Sequence, residues 1–292
     1  MSVQPARFEI DTTGGVKLAG YRWDSDGDPW AIAQLTHGVG EHARRYQPLA
    51  QALAQAGFVV YSHDHRAHGA SVTRPEQLGV LGDDGWPELV LDIGRVGALA
   101  RTEQPALPLG LIAHSLGSFA TQQYLLDHSA DVDAVVLSGT AAIDLLEPML
   151  DLDAPMDLAM FNAAFAPART EFDWLSRDDA QVDRYIADPL CGFGLDIPGA
   201  KAMFAGARAL ADPTRVASMR KDLPIHMIVG DMDPVNGQLA LVNALLERYQ
   251  MAGLHDVSLQ TYHEARHEVF NETNRQEVFS DVIEWLEKAL VR

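Results

Sequence analysis

The 292-residue sequence contains one cysteine, Cys191, so no disulfide can form within the chain. That single thiol fits a reducing compartment and has no catalytic setting around it. Basic residues are also scarce: Lys and Arg number 22 against 41 Asp and Glu, a formal net charge of −19. Nucleic acids and anionic bilayers both demand basic surface, so neither is expected as a primary partner. The acidity reads instead as a contribution to solubility. No apolar run approaches the length of a membrane-spanning helix, and residues 1–7 lack the apolar centre of a secretory signal. A cytoplasmic location is therefore expected. Repeats and low-complexity tracts are missing too, and the length is ample for a sizeable core.

What the sequence does contain is a regular alternation of short apolar runs and helical stretches. Residues 8–11 and 16–23 read as two strands around the Thr13-Gly14-Gly15 turn, an opening hairpin. Strands follow at 31–36, 58–61, 109–113 and 134–137, with helices at 46–56, 88–101 and 118–128. Helical segments between strands imply right-handed crossovers and an α/β fold, a mostly parallel sheet flanked by helices. After residue 137 the rhythm breaks. A Met- and Ala-rich, helical stretch separates it from the next strand at 225–229, and a connection that long reads as a helical cap. The expected division is a core of residues 1–140 and 223–292 with a cap of residues 141–222. Within the cap, 145–165 is expected to form an amphipathic helix on the core. There Met149, Met156 and Met160 would line an adaptable apolar channel. Alternation then resumes with a helix at 237–250, a strand at 257–262 and a helix at 275–290.

The run Leu109-Gly110-Leu111-Ile112-Ala113-His114-Ser115-Leu116-Gly117 ends a strand in a serine with small residues two positions to either side. A serine on a sharp, strained strand-to-helix turn needs that space, and the turn exposes its hydroxyl. The helix that follows aims free N–H groups and its positive dipole end at the reacting centre. Such a hydroxyl becomes nucleophilic when a histidine takes its proton and a carboxylate orients that histidine. Acids stand at the end of strand 225–229, in Gly230-Asp231-Met232-Asp233-Pro234. Histidines stand beyond strand 257–262, in His263-Glu264-Ala265-Arg266-His267. Asp231 directly follows the glycine and is expected to cap its own turn, whereas Asp233 is better placed to reach a neighbouring loop. His263 ends the strand, whereas His267 lies on the loop and can swing over the serine. Ser115, Asp233 and His267 are therefore the candidate triad, in the chain order of an α/β-hydrolase. Two backbone donors are needed for the oxyanion: Leu116 N–H, after the nucleophile, and Val39 N–H, in the glycine-rich loop 37–42.

Other motifs point elsewhere. His263-Glu264-Ala265-Arg266-His267 spells a zinc-protease pattern, but that pattern requires a helix and here it follows a strand. His63-Asp64-His65-Arg66-Ala67-His68 resembles a binuclear metal motif in which Ala67 occupies a carboxylate position. His65 and His68 then read as loop-packing polar residues. Loop 37–42 has no Lys-Ser/Thr of a phosphate-binding loop. Neither a metal nor a cofactor is expected, and serine rather than aspartate at the turn argues for ester hydrolysis over dehalogenation.

Taken together, these residues resemble the monoacylglycerol lipase and lysophospholipase-like branch of the α/β-hydrolases over nearly the full chain. His37-Gly38-Val39-Gly40-Glu41-His42 with Arg45-Tyr46 matches its oxyanion loop. Asp64-His65-Arg66-Ala67-His68-Gly69-Ala70-Ser71 matches its post-strand segment, with Ala67 for a glycine. Ser176-Arg177-Asp178, Val182, Tyr185 and Asp188-Pro189-Leu190 match its cap signature. Gly230 with Asp233, and the stretch from Arg266 through His267, Glu268 and Phe270 to Glu272, match its acid and histidine motifs. Two positions depart: Ala113 replaces the first glycine of the serine turn, and Phe270 stands where some members carry a second, alcohol-contacting histidine. The resemblance implies an α/β-hydrolase fold with a helical cap after the strand ending near residue 138. It implies a serine esterase acting on a lipid-like ester through an acyl-enzyme, with transient membrane-surface contact through the cap. Glu41, Arg45 and His114 become candidate substrate contacts alongside the three methionines. A carboxylesterase of small non-lipid esters and a catalytically silent ligand receptor are the alternatives.

Overall fold

The computed structural model describes residues 4–291, so the first three residues of the stretch examined for a secretory signal lie outside it. Eight strands form one sheet: β1 (Ala6–Asp11), β2 (Lys17–Trp23), β3 (Ala31–Thr36), β4 (Phe58–His63), β5 (Leu109–His114), β6 (Ala134–Ser138), β7 (Ile225–Gly230) and β8 (Val257–Tyr262). Their spatial order is β1-β2-β4-β3-β5-β6-β7-β8. β1 and β2 form the expected antiparallel hairpin, and β2 meets β4 antiparallel. All later pairs are parallel, each joined by a crossover that places helices on the sheet faces.

Eight α-helices occur among the described residues: α1 (Gln47–Gln55), α2 (Gly85–Glu103), α3 (Leu116–His128), α4 (Asp179–Ala187), α5 (Ile197–Ala207), α6 (Pro213–Val216), α7 (Ala240–Met251) and α8 (Arg275–Leu290). Side chains alternate across each strand, so every central strand feeds two cores. In β5, Leu111 joins Ile93 and Val96 of α2, Leu125 of α3 and Leu245 of α7. Its neighbour Ile112 joins Leu53 of α1 and Val282 and Leu286 of α8. Cover on both faces is why all six residues of β5 are buried and apolar almost throughout.

The long stretch between β6 and β7 contains α4, α5 and α6, but residues 145–165 do not form the expected amphipathic helix. They fold as short 3-10 turns at Ile143–Leu145, Glu147–Met149 and Leu158–Phe165. Pro148 and Pro155 remove helix donors. Short acidic side chains take the backbone instead: Asp151 accepts from Asp153 N–H at 3.0 Å and Asp157 from Ala159 N–H at 2.9 Å. The stretch is tied over the carboxyl ends of the strands. Its Leu175 carbonyl accepts from Glu268 N–H at 2.8 Å, Ser176 Oγ donates to the Asn271 carbonyl at 2.9 Å, and Arg177 meets Glu272 at 3.0 Å.

Candidate active site

Ser115 sits at φ 49°, ψ −121°, outside the regions that a residue with a side chain normally occupies. The surroundings hold it there. A Cβ on Gly117 would lie 2.6 Å from the His37 carbonyl oxygen, which accepts Gly117 N–H at 3.0 Å. Ala113, by contrast, pairs in register with Thr36 and Leu137, and the sheet has room for its methyl. Helix α3 starts at Leu116, two residues earlier than the apolar pattern suggested, so the serine stands directly at its amino end.

Three side chains far apart in the sequence meet at this turn. His267 Nε2 lies 2.8 Å from Ser115 Oγ, and His267 Nδ1 lies 3.0 Å from Asp233 Oδ2. With the Nδ1 proton donated to the carboxylate, Nε2 is the acceptor for the serine hydroxyl. All three are buried. Burial alone would depress the His267 imidazole, but the charge and hydrogen bond of Asp233 outweigh it and hold the group above its ordinary value of 6.5. Trp174 covers the ring with centroids 5.0 Å apart. The second acid and histidine form a separate pair: Asp231 Oδ2 lies 3.0 Å from the exposed His263 Nδ1. The turn cap expected of Asp231 falls to Asp233, whose Oδ1 accepts from Val235 N–H at 2.9 Å. Glu264, at φ 57°, breaks any helix through 263–267 and with it the zinc-protease spacing.

Ser115, Val39 and Leu116 lie on the wall of one cavity of about 550 Å³, counted out to open solvent. Leu116 occupies the first helical position, where N–H groups have no partner within the helix. Every other wall residue is apolar, among them Phe119, Leu146, Leu158, Phe161, Met203 and Phe204. Met156 and Met160 line it as expected. Met149 does not: it is 78% exposed, on an outer groove, because its 3-10 turn faces outward. Phe119 was missed, although it stands four residues after Ser115 on the same helical face.

The polar candidates are placed differently from expectation. His114, at the end of β5, points away from the cavity. It bonds Ser138 Oγ at 3.1 Å and backs the His267 ring at 4.8 Å. Glu41 and Arg45 are also absent from the wall, because each is consumed by a buried partner. Glu41 accepts from Gly38 N–H at 2.6 Å and Tyr46 Oη–H at 2.7 Å. Arg45 donates to Glu41 at 2.5 Å and by a fork to both oxygens of Glu268, at 2.5 and 2.7 Å. The loop holding Val39 is thereby tied to the loop holding His267. Phe270 packs on Tyr46 and Phe279, off the cavity wall. The 64–71 segment is scaffold: Asp64 accepts from Ala43 N–H at 2.8 Å and Ala70 N–H at 2.7 Å, and Arg66 pairs with Asp92 at 2.8 Å. His65 N–H donates to His37 Nε2 at 3.0 Å, the loop-packing role expected of it.

Residues 27–274 match the family model described as serine aminopeptidase, S33. The chain is 33% identical over 279 residues to a monoacylglycerol lipase of Mycolicibacterium smegmatis, covering 94% of each. It is 26% identical over 273 residues to the human monoglyceride lipase, covering 90% of this chain and 84% of that one. Among solved structures, a thermostable carboxyl esterase from Bacillus coagulans in complex with glycerol aligns with a TM-score of 0.87 at 23% identity, covering 99% of both chains. A soluble variant of monoglyceride lipase from Saccharomyces cerevisiae in complex with a substrate analog gives 0.77 at 19% identity, covering 99% of this chain and 97% of that one. These two likenesses are of fold.

Proposed function

The chain belongs to the serine aminopeptidase S33 family of α/β-hydrolases and is a carboxylic ester hydrolase, and from that premise we propose a monoacylglycerol lipase-like or lysophospholipase-like serine esterase. One observation carries the substrate class. Ser115 is the single hydroxyl on a cavity wall otherwise built from apolar side chains, a shape for an acyl chain.

In this reading Ser115 Oγ attacks the ester carbonyl while His267 Nε2 takes its proton, and Asp233 fixes the imidazole tautomer and steadies its charge. Val39 and Leu116 N–H groups receive the tetrahedral oxyanion, a contribution worth roughly a hundred- to a thousandfold per donor. His267 then protonates the leaving alcohol, and water hydrolyses the acyl-enzyme. Residues 141–222 act as a cap that shields the reaction from bulk water. Leu145, Met149 and Met160, each exposed on that segment, suit transient contact with a lipid surface. No helix among the described residues is long and apolar enough to cross a membrane.

Two measurements test this. A fluorophosphonate probe should label wild type and not Ser115→Ala; equal labelling of both would remove the serine from its role. Across monoacylglycerols of rising acyl length, lysophospholipids and short aryl esters, kcat/KM should climb with chain length. A series that peaks at acetyl esters would favour the small-ester alternative.

A further inference from the structure

Outside the triad, a second set of side chains converges. His42 Nε2 lies 3.0 Å from Asp188 Oδ2, and Cys191 Sγ completes a group whose three ligand atoms all lie within 4.8 Å of one another. We propose that His42, Asp188 and Cys191 bind a borderline-soft divalent cation of the zinc type. Imidazole nitrogen, carboxylate oxygen and thiolate sulfur are the donors such an ion takes, and three protein ligands leave a fourth position for water. Magnesium and calcium, which demand oxygen, do not suit this set.

Burial first holds the Cys191 thiol above its ordinary range, and of the charges around it Glu41, Asp188 and Glu268 outnumber the one guanidinium of Arg45, a balance that a cation relieves. The backbone presets two of the ligands. Leu190 N–H occupies Asp188 Oδ1 at 2.9 Å, which leaves Oδ2 to face His42, and Cys191 N–H donates to the Asp188 carbonyl at 3.0 Å. The side chains of His42 and Asp188 keep 11% and 32% exposure and Cys191 is partly exposed, so a hydrated ion has a route in. On ligation the Cys191 thiol releases its proton to solvent, the proton that His42 Nε2 donates to Asp188 Oδ2 moves to Nδ1 by way of solvent, and the freed sulfur, nitrogen and carboxylate lone pairs form the new bonds. Glu41, His114 and Glu268 also converge. Arg45 already pairs with both of those carboxylates, and no ion is required to hold them.

The position gives the site a consequence. His42 belongs to the loop that carries Val39, whereas Asp188 and Cys191 belong to the stretch inserted between β6 and β7. These two segments already touch: Gly192 N–H donates to the Gly40 carbonyl at 3.0 Å. Gly40, at φ 63°, has the Phe193 carbonyl where a side chain would stand. A bound ion cross-links the segments and stabilises their contact.

Metal-stripped, reduced protein is titrated with Co²⁺ as spectroscopic probe and with Zn²⁺. One equivalent of Co²⁺ should produce a thiolate-to-cobalt charge-transfer band that Zn²⁺ bleaches, and Zn²⁺ should raise the melting temperature where Mg²⁺ does not. Cys191→Ser should lose the band, and both it and His42→Ala should weaken Zn²⁺ binding at least about tenfold. Asp231→Asn, which breaks the surface pair with His263, and Ser115→Ala should leave Zn²⁺ binding intact. No band in wild type, a band that survives Cys191→Ser, or Zn²⁺ stabilisation that disappears in Asp231→Asn would each overturn the site.

Discussion

Ser115 is held in a backbone conformation that alanine tolerates no better and no worse, so the effect of removing its hydroxyl isolates chemistry from folding. Ser115→Ala should lower turnover of a p-nitrophenyl ester by roughly four to six orders of magnitude. The melting temperature should stay almost unchanged, and substantial residual turnover would refute the nucleophile. The two aspartates of the 230–234 turn separate in the same way. Asp233 is buried against His267, so Asp233→Asn leaves the imidazole in the wrong tautomer and should cost about ten-thousandfold. The Asp231 side chain pairs with the exposed His263 and not with His267, and Asp231→Asn should cost less than about tenfold. The reverse ranking would transfer the acid's role. A pH profile reads the same contact. In the proposed mechanism His267 must be neutral to accept a proton, and the charge of Asp233 makes the imidazole hold its proton more tightly than usual, so activity should rise with pH through a value above 6.5. The acid limb of kcat/KM should lie there in wild type and move lower in Asp233→Asn; an unmoved limb would mean that another group sets it.

At the scale of elements, the site depends on four strand ends, those of β3, β5, β7 and β8, and on one cation joining the loops that leave β3 and β8. Arg45 is nearly enclosed between Glu41 and Glu268, with side-chain exposures of 10%, 2% and 5%. Taking away that cation leaves two buried carboxylates unpaired, a loss of about 3–5 kcal/mol. Arg45→Ala should show it as a lower urea midpoint together with reduced kcat, because the Val39 and His267 loops lose their common anchor. A cost below about 1 kcal/mol would mean that the loops are held by other contacts. This joint was hidden from sequence reasoning, since Arg45 and Glu268 stand 223 residues apart and nothing local distinguishes a substrate-contacting arginine from a tethered one. By contrast, the strands and the closing helix were legible. Their apolar periodicity is a direct imprint of two-sided burial, and α8 begins and ends where that pattern does. The meeting of Ser115, Asp233 and His267 was legible because strand ends and turn residues mark their places. Residues 145–165 were not: apolar content suggested a helix, while two prolines and capping acids dictate short turns.

Over the whole molecule, neutral histidines buried beneath the active site set the behaviour in acid. His37, His63, His65 and His68 pack against one another, with ring centroids of His37 and His65 4.3 Å apart and those of His63 and His65 4.8 Å apart. Burial first, and the neighbouring imidazoles for His37 and His65, push these groups down; His63 and His68 fall to about 4. His114 and His226 are lowered by burial as well. Above pH 6.5 folded and unfolded chains both carry them neutral, and they exert no pH-dependent effect. As pH falls from 6.5 toward 4, the unfolded chain takes up protons that the folded one refuses. His63 and His68 alone then withdraw about 3 kcal/mol of stability per pH unit. His267 and His263 are raised and act in the opposite direction, but two raised groups face six lowered ones. Acidification also relieves repulsion in a chain of net charge −19, yet carboxylates titrate mainly below pH 5, so the histidines dominate between 6.5 and 5. Thermal melts in one buffer series should show a midpoint that holds or rises slightly from pH 8 to 7, where only the raised His263 and His267 titrate, and falls steeply between 6.5 and 5. A midpoint flat down to pH 5 would mean that the cluster admits protons in the folded state.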